Sequence, residues 1–370
     1  MNTTIVPHRS THPGVILKNE LDSREFTQKE FAQSIDMPVT MLNEIIKGKR
    51  SVTADIALVL EKSLDIPADF WLGLQTQYEL DEARLSERNI QKAQQIEKWN
   101  VISQYVPVKT FSKLGVLVGN MAANIQKIWS IYGVSNLDEL IDQFACHEEL
   151  VLYKKSEKLK NNPVSIFGWS RLAMYTVSSK PAKEFAPQKE QELTNLLKAI
   201  FHENKNVVVR CEHTLSEYGI RFMTLEKFEQ TPIDGFSFWS GSNPAIVLTL
   251  RKKTLDNFAF ALFHELGHVF KHLNPDSGYE FLNIEDVRYS NERARLEDEA
   301  DCYAKNTFIE EQIWSTFIKR NSSFKYGITE RNIIGFASEQ YIHPSIVFGR
   351  YCFETNNFAI KTKIDRTLHT

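Results

Sequence analysis

Two histidines and a glutamate late in the chain have the spacing of a hydrolytic metal site. His264 and His268 are four residues apart, and Glu265 directly follows the first of them. On a helix this spacing brings both imidazoles to one face, within reach of a single zinc ion. Glu265 lies about 100° further round the helix, where its carboxylate can hold the attacking water. Zinc lowers the pKa of a coordinated water to about 7, so that such a carboxylate can take up its proton.

A third ligand must come from further along the chain. The metzincin spacing requires a histidine at position 274, where the sequence has Asn274, and this excludes that class. Glu297 and Asp301 are four residues apart on a predicted helix, so Glu297 can bind zinc while Asp301 accepts a hydrogen bond from a ligand histidine. Glu299 is the alternative ligand, and an ordinary solvated acidic helix face is the alternative interpretation of the run. His272 is interpreted as a surface residue or as a partner behind the ligands.

The segment that contains this motif resembles the ImmA/IrrE family of metallo-endopeptidases. The resemblance rests on residues 232–273, PIDGFSFWSGSNPAIVLTLRKKTLDNFAFALFHELGHVFKHL, and on the later EDEADCYA. It implies a gluzincin-like fold, a zinc ion and cleavage of helix-turn-helix repressors. By motif match the ligands are His264, His268 and Glu297. The match assigns Glu265 as general base and assigns no oxyanion-stabilising residue.

Near the N-terminus the sequence predicts a helix-turn-helix. Thr27 precedes a short helical pattern with Glu30 at the capping-box position. A turn at Asp36 follows, where aspartate can adopt the left-handed conformation, and a second helix runs from Pro38 to Lys47 and stops at Gly48. The residues predicted to enter a major groove are Val39, Thr40, Met41, Asn43 and Glu44. Those predicted to lie at phosphates are Gln28, Lys47, Lys49 and Arg50.

This N-terminal segment resembles HigA-type antitoxins of the Xre class, on the strength of HPGVILKNEL, TQKEFAQSI and LNEIIKGKRSVTADIALVLEKSLDIPADFWLGLQTQYEL. The resemblance implies operator DNA as a partner, a homodimer that matches a two-fold operator, and a cognate toxin. Residues 12–77 contain more acidic than basic side chains, which weakens non-specific attraction to phosphates. A helical dimerisation or docking module without DNA binding is therefore the alternative.

Composition limits the remaining possibilities. The 370 residues suggest two or three domains, and 42% hydrophobic with 25% charged residues is typical of globular proteins. The net charge of −3 means that contact with DNA depends on a local cluster of positive charge. Four scattered cysteines without a CxxC pair exclude a zinc ribbon and a disulfide framework. No apolar run approaches the ~18 residues of a membrane span, so we expect a soluble, cytoplasmic protein without a membrane partner.

The fold class predicted from these patterns is mainly α with a small antiparallel sheet (α+β), in which an all-α helix-turn-helix domain precedes a gluzincin-like peptidase domain. Three short β-rich stretches are predicted at 219–225, 235–239 and 245–250, ahead of a helix that Asp256 caps. A basic loop is predicted at 154–162. The predicted domains are a helix-turn-helix domain (1–80), a helical connector (81–184), a zinc peptidase domain (185–355) and a C-terminal tail (356–370).

These features predict a DNA-binding, antitoxin-like regulator that also cleaves a protein, a repressor being the expected substrate. The alternative is an autorepressor whose zinc domain is a non-catalytic scaffold or ligand sensor. Glu265 favours the enzyme, because a scaffold needs metal ligands and has no use for a base.

Overall fold

The computed structural model describes residues 10–146, 162–276, 280–284, 291–322 and 328–370. The chain divides into two compact units, Met1–Lys98 and Trp99–Thr370. The division that the sequence suggested within the second unit stays a prediction. The basic loop predicted at 154–162 lies, apart from Asn162, outside the described residues.

In the described part of the first unit, all regular secondary structure is helical. Its helices are α1 (Pro13–Ser23), α2 (Gln28–Ser34), α3 (Val39–Ile46), α4 (Ala54–Leu64) and α5 (Ala68–Leu85), and α6 (Glu87–Tyr105) contains the boundary between the units. Their inner faces bury a core that includes Leu17, Phe31, Leu42, Ile45, Leu60 and Trp71.

Local sequence determines where the helix-turn-helix pair begins and ends. The predicted capping box is confirmed, since Thr27 and Glu30 bond reciprocally to each other's backbone. Asp36 adopts the expected left-handed conformation in the turn (φ +51°), and Gly48 (φ +69°) follows α3. Gly14 lies so close to the end of α3 that a Cβ there would lie 2.0 Å from the Ile45 carbonyl oxygen.

The second unit combines helices with one small sheet. Its helices are α7 (Val108–Lys113), α8 (Met121–Tyr132), α9 (Leu137–Cys146), α10 (Pro163–Val177), α11 (Glu190–Glu203), α12 (Val207–Glu217), α13 (Leu255–Lys271), α14 (Asn291–Phe308), α15 (Glu311–Ser322), α16 (Glu330–Glu339) and α17 (Pro344–Glu354). Its strands are β1 (Arg221–Thr224), β2 (Ile233–Ser240), β3 (Asn243–Leu248) and β4 (Glu280–Ile284).

The sheet confirms the predicted α+β class, but it is mixed rather than antiparallel throughout. The strand order is β1-β3-β2-β4, and β1 pairs with β3 in parallel. A tight turn at Gly241 (φ +64°) joins β2 and β3 as an antiparallel hairpin. The fourth strand, β4, was not predicted and pairs antiparallel with β2.

One predicted helix start is wrong. Helix α13 begins after Thr254, and Asp256 lies inside its first turn instead of capping it. The Asp256 carboxylate is buried and accepts a 2.6 Å hydrogen bond from Arg366, 110 residues further along the chain. A capping preference is a local signal, whereas this distant ion pair has none in the sequence.

Two further predictions concern cysteines and membranes. All four cysteines lie within the described residues and are free thiols. Among the described helices, none is both long and apolar enough to cross a bilayer.

Candidate metal centre

Helix α13 carries both histidines of the motif into the interior of the second unit. His264 and His268 are buried, and Glu265 is completely inaccessible. Helix α14 packs closely on α13 at Gly267, where an added Cβ would lie 3.0 Å from the Cα of Ala300. Small residues at this crossing therefore let the second helix bring its acidic side chains close to the histidines.

Three potential ligand atoms converge between these helices. The Nε2 atoms of His264 and His268 are 3.1 Å apart. The Glu297 Oε2 atom lies 3.1 Å from the first and 3.4 Å from the second. Within the described residues, these three side chains form the only such group of possible metal ligands, with all ligand atoms within 4.8 Å of one another. Two nitrogens and a carboxylate oxygen are a donor set that suits zinc.

Each histidine is held from behind by a second hydrogen bond. His264 Nδ1 lies 2.8 Å from Asp301 Oδ1, as expected for a ring that donates to a carboxylate and points its Nε2 lone pair towards a metal. His268 Nδ1 lies 2.9 Å from His272 Nδ1, and His272 Nε2 lies 3.1 Å from Glu299. If His272 donates to Glu299, its Nδ1 accepts from His268, and the ring of His268 is oriented in the same way as that of His264.

Glu299, the alternative ligand, therefore lies outside the converging group. It contacts His272 and also pairs with Arg295, at 3.1 Å in each case. The structure brings together Glu297 with both histidines and places Asp301 behind one of them, which is the arrangement that the shared helix face predicted.

Two residues near Glu297 were missed by the sequence interpretation. Arg293 donates a 2.7 Å hydrogen bond from Nε to Glu297 Oε1, so that Oε2 remains directed at the histidines. The same guanidinium lies 4.2 Å from the Phe281 ring, which stacks on His268 with 4.0 Å between ring centres. The i, i+4 spacing of Arg293 and Glu297 was a usable signal. Phe281 had none, since it comes from the unpredicted strand β4.

The three converging groups differ in their electrostatics. Burial alone would lower the pKa of His264, but its contacts with Asp301 and Glu297 raise it to about 10, so a metal that binds here would displace a proton from this ring. Burial lowers the pKa of His268 to about 4, so its imidazole is neutral. Burial alone would raise the pKa of Glu297, but the contacts with His264 and His268 hold it far below the ordinary range, so this carboxylate is ionised. An ionised oxygen and a neutral imidazole nitrogen directed at one point form a place for a cation.

The surroundings of the Glu265 carboxylate differ from those of the three converging side chains. Within the described residues its carboxylate oxygens make no hydrogen bond of ordinary geometry, although the nearby Ser237 hydroxyl interacts with them and lowers the Glu265 pKa. Burial raises its pKa to about 7, which suits a group that exchanges protons near neutral pH. Strand β2 passes directly over it, and a Cβ added at Gly235 would lie 2.2 Å from Glu265 Oε1.

Gly235→Ala is therefore expected to displace the Glu265 carboxylate. The methyl group cannot share space with Oε1, and the buried side chain has to rotate away from its present position. We expect peptidase activity to fall about tenfold or more while zinc content stays at the wild-type level. Gly335→Ala is the matched control, because a Cβ there meets nothing within 4 Å. Equal activity of the two variants in a cleavage assay would contradict the role of this contact.

The residues predicted to contact DNA differ in how far their side chains are exposed to solvent. Thr40, Lys47, Lys49 and Arg50 are exposed, whereas Gln28, Asn43 and Glu44 are half-buried. Val39 and Met41 are also half-buried and pack against the core of the unit, which limits their reach towards a groove. Arg50 Nε pairs with Glu44 at 2.8 Å.

Comparison with known proteins finds one family match in each of the two units. A helix-turn-helix family model matches residues 17–71, and a peptidase family model described as an IrrE N-terminal-like domain matches residues 215–337. The second match contains the converging histidines and Glu297. The chain belongs to the helix-turn-helix family and carries an IrrE-like peptidase domain.

Several known proteins resemble part of this helix-turn-helix protein. Virulence-associated protein A' of Dichelobacter nodosus is 38% identical over 72 residues, 19% of this chain and 63% of that relative. Virulence-associated protein I of the same organism is 34% identical over 80 residues, 21% of this chain and 74% of the relative. The chain thus spans less than two thirds of the length of the first of these relatives.

Solved structures resemble a similar share of the chain. An addiction module antidote protein of the HigA family from Coxiella burnetii is 36% identical, with 23% of this chain and 94% of that chain covered and a TM-score of 0.22. The antitoxin HigA of Pseudomonas aeruginosa, solved with the higBA promoter, is 33% identical, with 20% and 83% covered and a TM-score of 0.20.

Proposed function

We propose that this protein is a cytoplasmic, antitoxin-like transcriptional regulator whose second unit is a zinc-dependent endopeptidase that cleaves a protein, namely a helix-turn-helix repressor. One observation carries the peptidase half. Three ligand atoms of His264, His268 and Glu297 converge within 4.8 Å, next to the inaccessible carboxylate of Glu265. The IrrE-like match over the same residues supports this assignment.

The residues present fit zinc in a catalytic rather than a structural role. Structural zinc sites use four protein ligands, whereas catalytic sites use three and leave a position for water or substrate. Three ligands are what the described residues provide. Zinc held there would supply the Lewis acidity that polarises an amide carbonyl and makes a water acidic.

The chain's own residues have separate parts in the proposed reaction. Glu265 accepts the proton of the attacking water and passes it to the leaving amine nitrogen. Asp301 and the His272–Glu299 pair orient the two ligand histidines, while Arg293 holds the far oxygen of Glu297. These orienting contacts come from α14 and from His272, the residue that ends α13, and side chains held on such elements help to keep the centre in one geometry.

The second candidate is a scaffold or ligand sensor built on the same metal site. The burial of Glu265 favours the enzyme, because burying a carboxylate destabilises the fold and this one is not among the converging ligand groups. Buried groups with a strongly shifted pKa, such as Glu265, are typical of catalytic sites.

Zinc-dependent cleavage tests the peptidase half of the proposal. Zinc-loaded protein is incubated with each purified helix-turn-helix regulator encoded beside its gene. We expect one of them to be cut, the cutting to stop when a chelator removes zinc, and added zinc to restore it. Regulators that all remain intact, or cleavage that continues in excess chelator, would contradict the proposal.

The DNA half rests on the first unit. Its capped helix pair belongs to the helix-turn-helix family, in which the second helix enters the major groove. The second helix here is α3, and the exposed cations Lys47, Lys49 and Arg50 follow it directly. We propose operator DNA as the partner, bound by a homodimer on a two-fold site, and a cognate toxin as a second protein partner.

Substitutions in and after α3 are expected to separate affinity from specificity. Lys49→Ala should weaken binding to all sequences alike and reduce the salt dependence, because it removes a phosphate contact. Asn43→Ala should instead change the preferred operator, since a bidentate base contact contributes about 1–3 kcal/mol of discrimination. Gel-shift titrations on the upstream region of the protein's own gene measure both effects.

The matched control is Lys62→Ala, which removes an exposed lysine of α4 in the same unit. It should leave affinity and salt dependence unchanged. The DNA half fails if wild-type protein shows no sequence-specific shift at modest salt.

A further inference from the structure

A cavity opens beside the candidate metal centre of the second unit. Its volume is about 720 Å³, and His264, Glu297 and Asp301 contribute to its wall. Cavities of this size accommodate ligands well beyond a single water or ion. A peptide whose carbonyl group faces the converging ligands would therefore have room for a neighbouring side chain in the same cavity.

The far wall comes from the end of the chain, beyond the part that resembles the IrrE family. Helix α17 contributes Gly349, Cys352 and Phe353, and the segment that follows it contributes Phe358 and Arg366. The family match ends at residue 337. This wall thus lies outside the residues that the family model matches, and we call residues 356–370 the C-terminal segment.

The C-terminal segment is attached to the start of α13. Thr367 forms an isolated β-bridge with Thr254, and the backbone N–H of Leu255 donates to the Arg366 carbonyl at 2.8 Å. Arg366 also pairs with the buried carboxylate of Asp256 at 2.6 Å. These contacts hold the end of the segment against the helix that carries the histidines.

The lining offers apolar surface. Phe353 and Phe358 are 50% and 67% exposed, which is unusual for phenylalanine, and Phe260 is half-buried beside them in the wall. Exposed aromatic surface that lines a cavity marks a place for an apolar ligand.

Three acidic side chains that line the cavity already pair with a basic group or a histidine. Asp234 pairs with Arg251 at 2.9 Å, Asp256 with Arg366 at 2.6 Å, and Asp301 with His264 at 2.8 Å. A basic side chain entering the cavity would therefore compete with existing partners, and it would lose its hydration as well. The ammonium of Lys305 lies 4.9 Å from the centre of the Phe353 ring, which covers one face of that ring without filling the cavity.

We propose that α17 and the C-terminal segment form a specificity pocket for a bulky apolar side chain next to the peptide bond that is cut. The proposal rests on the proposed peptidase function and deepens it by naming the substrate class, proteins with a large aliphatic or aromatic residue at the cleavage site. Phe353 and Phe358 determine this preference by direct contact with that side chain.

Binding of small hydroxamates to the zinc-loaded full-length protein tests the pocket without any turnover. Acetohydroxamate reports on the metal centre alone, 3-phenylpropanohydroxamate adds a bulky apolar group, and 3-aminopropanohydroxamate adds a positively charged one. Because burial of a phenyl group is strongly favourable, we expect the phenyl compound to bind about tenfold or more tightly than acetohydroxamate, and the charged compound to gain nothing. Calorimetric titration gives the three dissociation constants.

The double variant Phe353→Ala, Phe358→Ala should reduce the phenyl preference to about threefold or less, with acetohydroxamate affinity and zinc content unchanged. Ile334→Ala, which removes a similarly exposed apolar side chain outside the cavity wall, should keep the full preference. A preference that is absent in the wild type, or that survives in the double variant, overturns the pocket. If the preference follows these expectations but no protein is cleaved, the pocket stands and the peptidase function fails.

Discussion

Glu265→Gln should retain zinc, fold and DNA binding while proteolysis falls by a factor of about 10² or more. The amide keeps the shape of the carboxylate but has no basicity, so it cannot take the proton of the attacking water. Glu265 is not one of the three residues whose ligand atoms converge, so replacing its carboxylate should leave the metal in place. Initial rates of cleavage, elemental analysis and a gel shift on the same preparations measure the three properties.

The same substitution distinguishes the enzyme from the scaffold inside the cell. A reporter gene controlled by the cleaved repressor should stay uninduced in the Glu265→Gln strain under conditions that induce it in the wild type. Glu297→Gln provides a comparison: it alters a proposed metal ligand, so we expect it to prevent induction and to lower the zinc content as well. Normal induction with Glu265→Gln would show that the zinc domain acts as a sensor or structural part.

Removal of either histidine should abolish zinc binding. We expect about one zinc per chain in the wild type and almost none in His264→Ala or His268→Ala, because each supplies one of three converging atoms. Glu297→Ala should weaken zinc binding strongly, by removing the only oxygen of the group. Elemental analysis after dialysis against a mild chelator, with circular dichroism to verify folding, measures the effect.

Glu299→Ala is the matched control for Glu297→Ala, since the two glutamates lie on the same helix two residues apart. Glu299 reaches His268 through His272, so its loss should weaken zinc binding less than loss of Glu297. The ligand assignment is wrong if Glu299→Ala strips the zinc while Glu297→Ala keeps it.

The parts of this site that could be predicted from sequence are those governed by helix geometry. The spacing of His264 and His268 indicated one shared face, and the spacing of Glu297 and Asp301 indicated which carboxylate turns inward. The capping box at Thr27 could likewise be read locally, because it involves residues only three apart. Such short-range rules hold wherever tertiary contacts do not override them.

The remaining features depend on residues far apart in the chain. Asp256 has a capping residue's chemistry, but Arg366 takes its carboxylate into an ion pair that no local pattern signals. Strand β4 is short, and its stacking residue Phe281 contacts His268 only after the sheet has formed. The C-terminal segment was predicted as a tail because sequence alone does not show the hydrogen bonds that attach it to α13.

Mass-spectrometric mapping of repressor fragments is the most direct test of the central claim that this centre hydrolyses a protein. Wild type and Glu265→Gln, both loaded with zinc, are incubated with the repressor encoded nearest to the gene, and new termini are identified at successive times. We expect the wild type to produce two fragments that share one cleavage point, and Glu265→Gln to produce about one hundredth of them or less in the same time. Equal fragment yields from the two proteins, or none from wild type with any neighbouring regulator, would contradict the account.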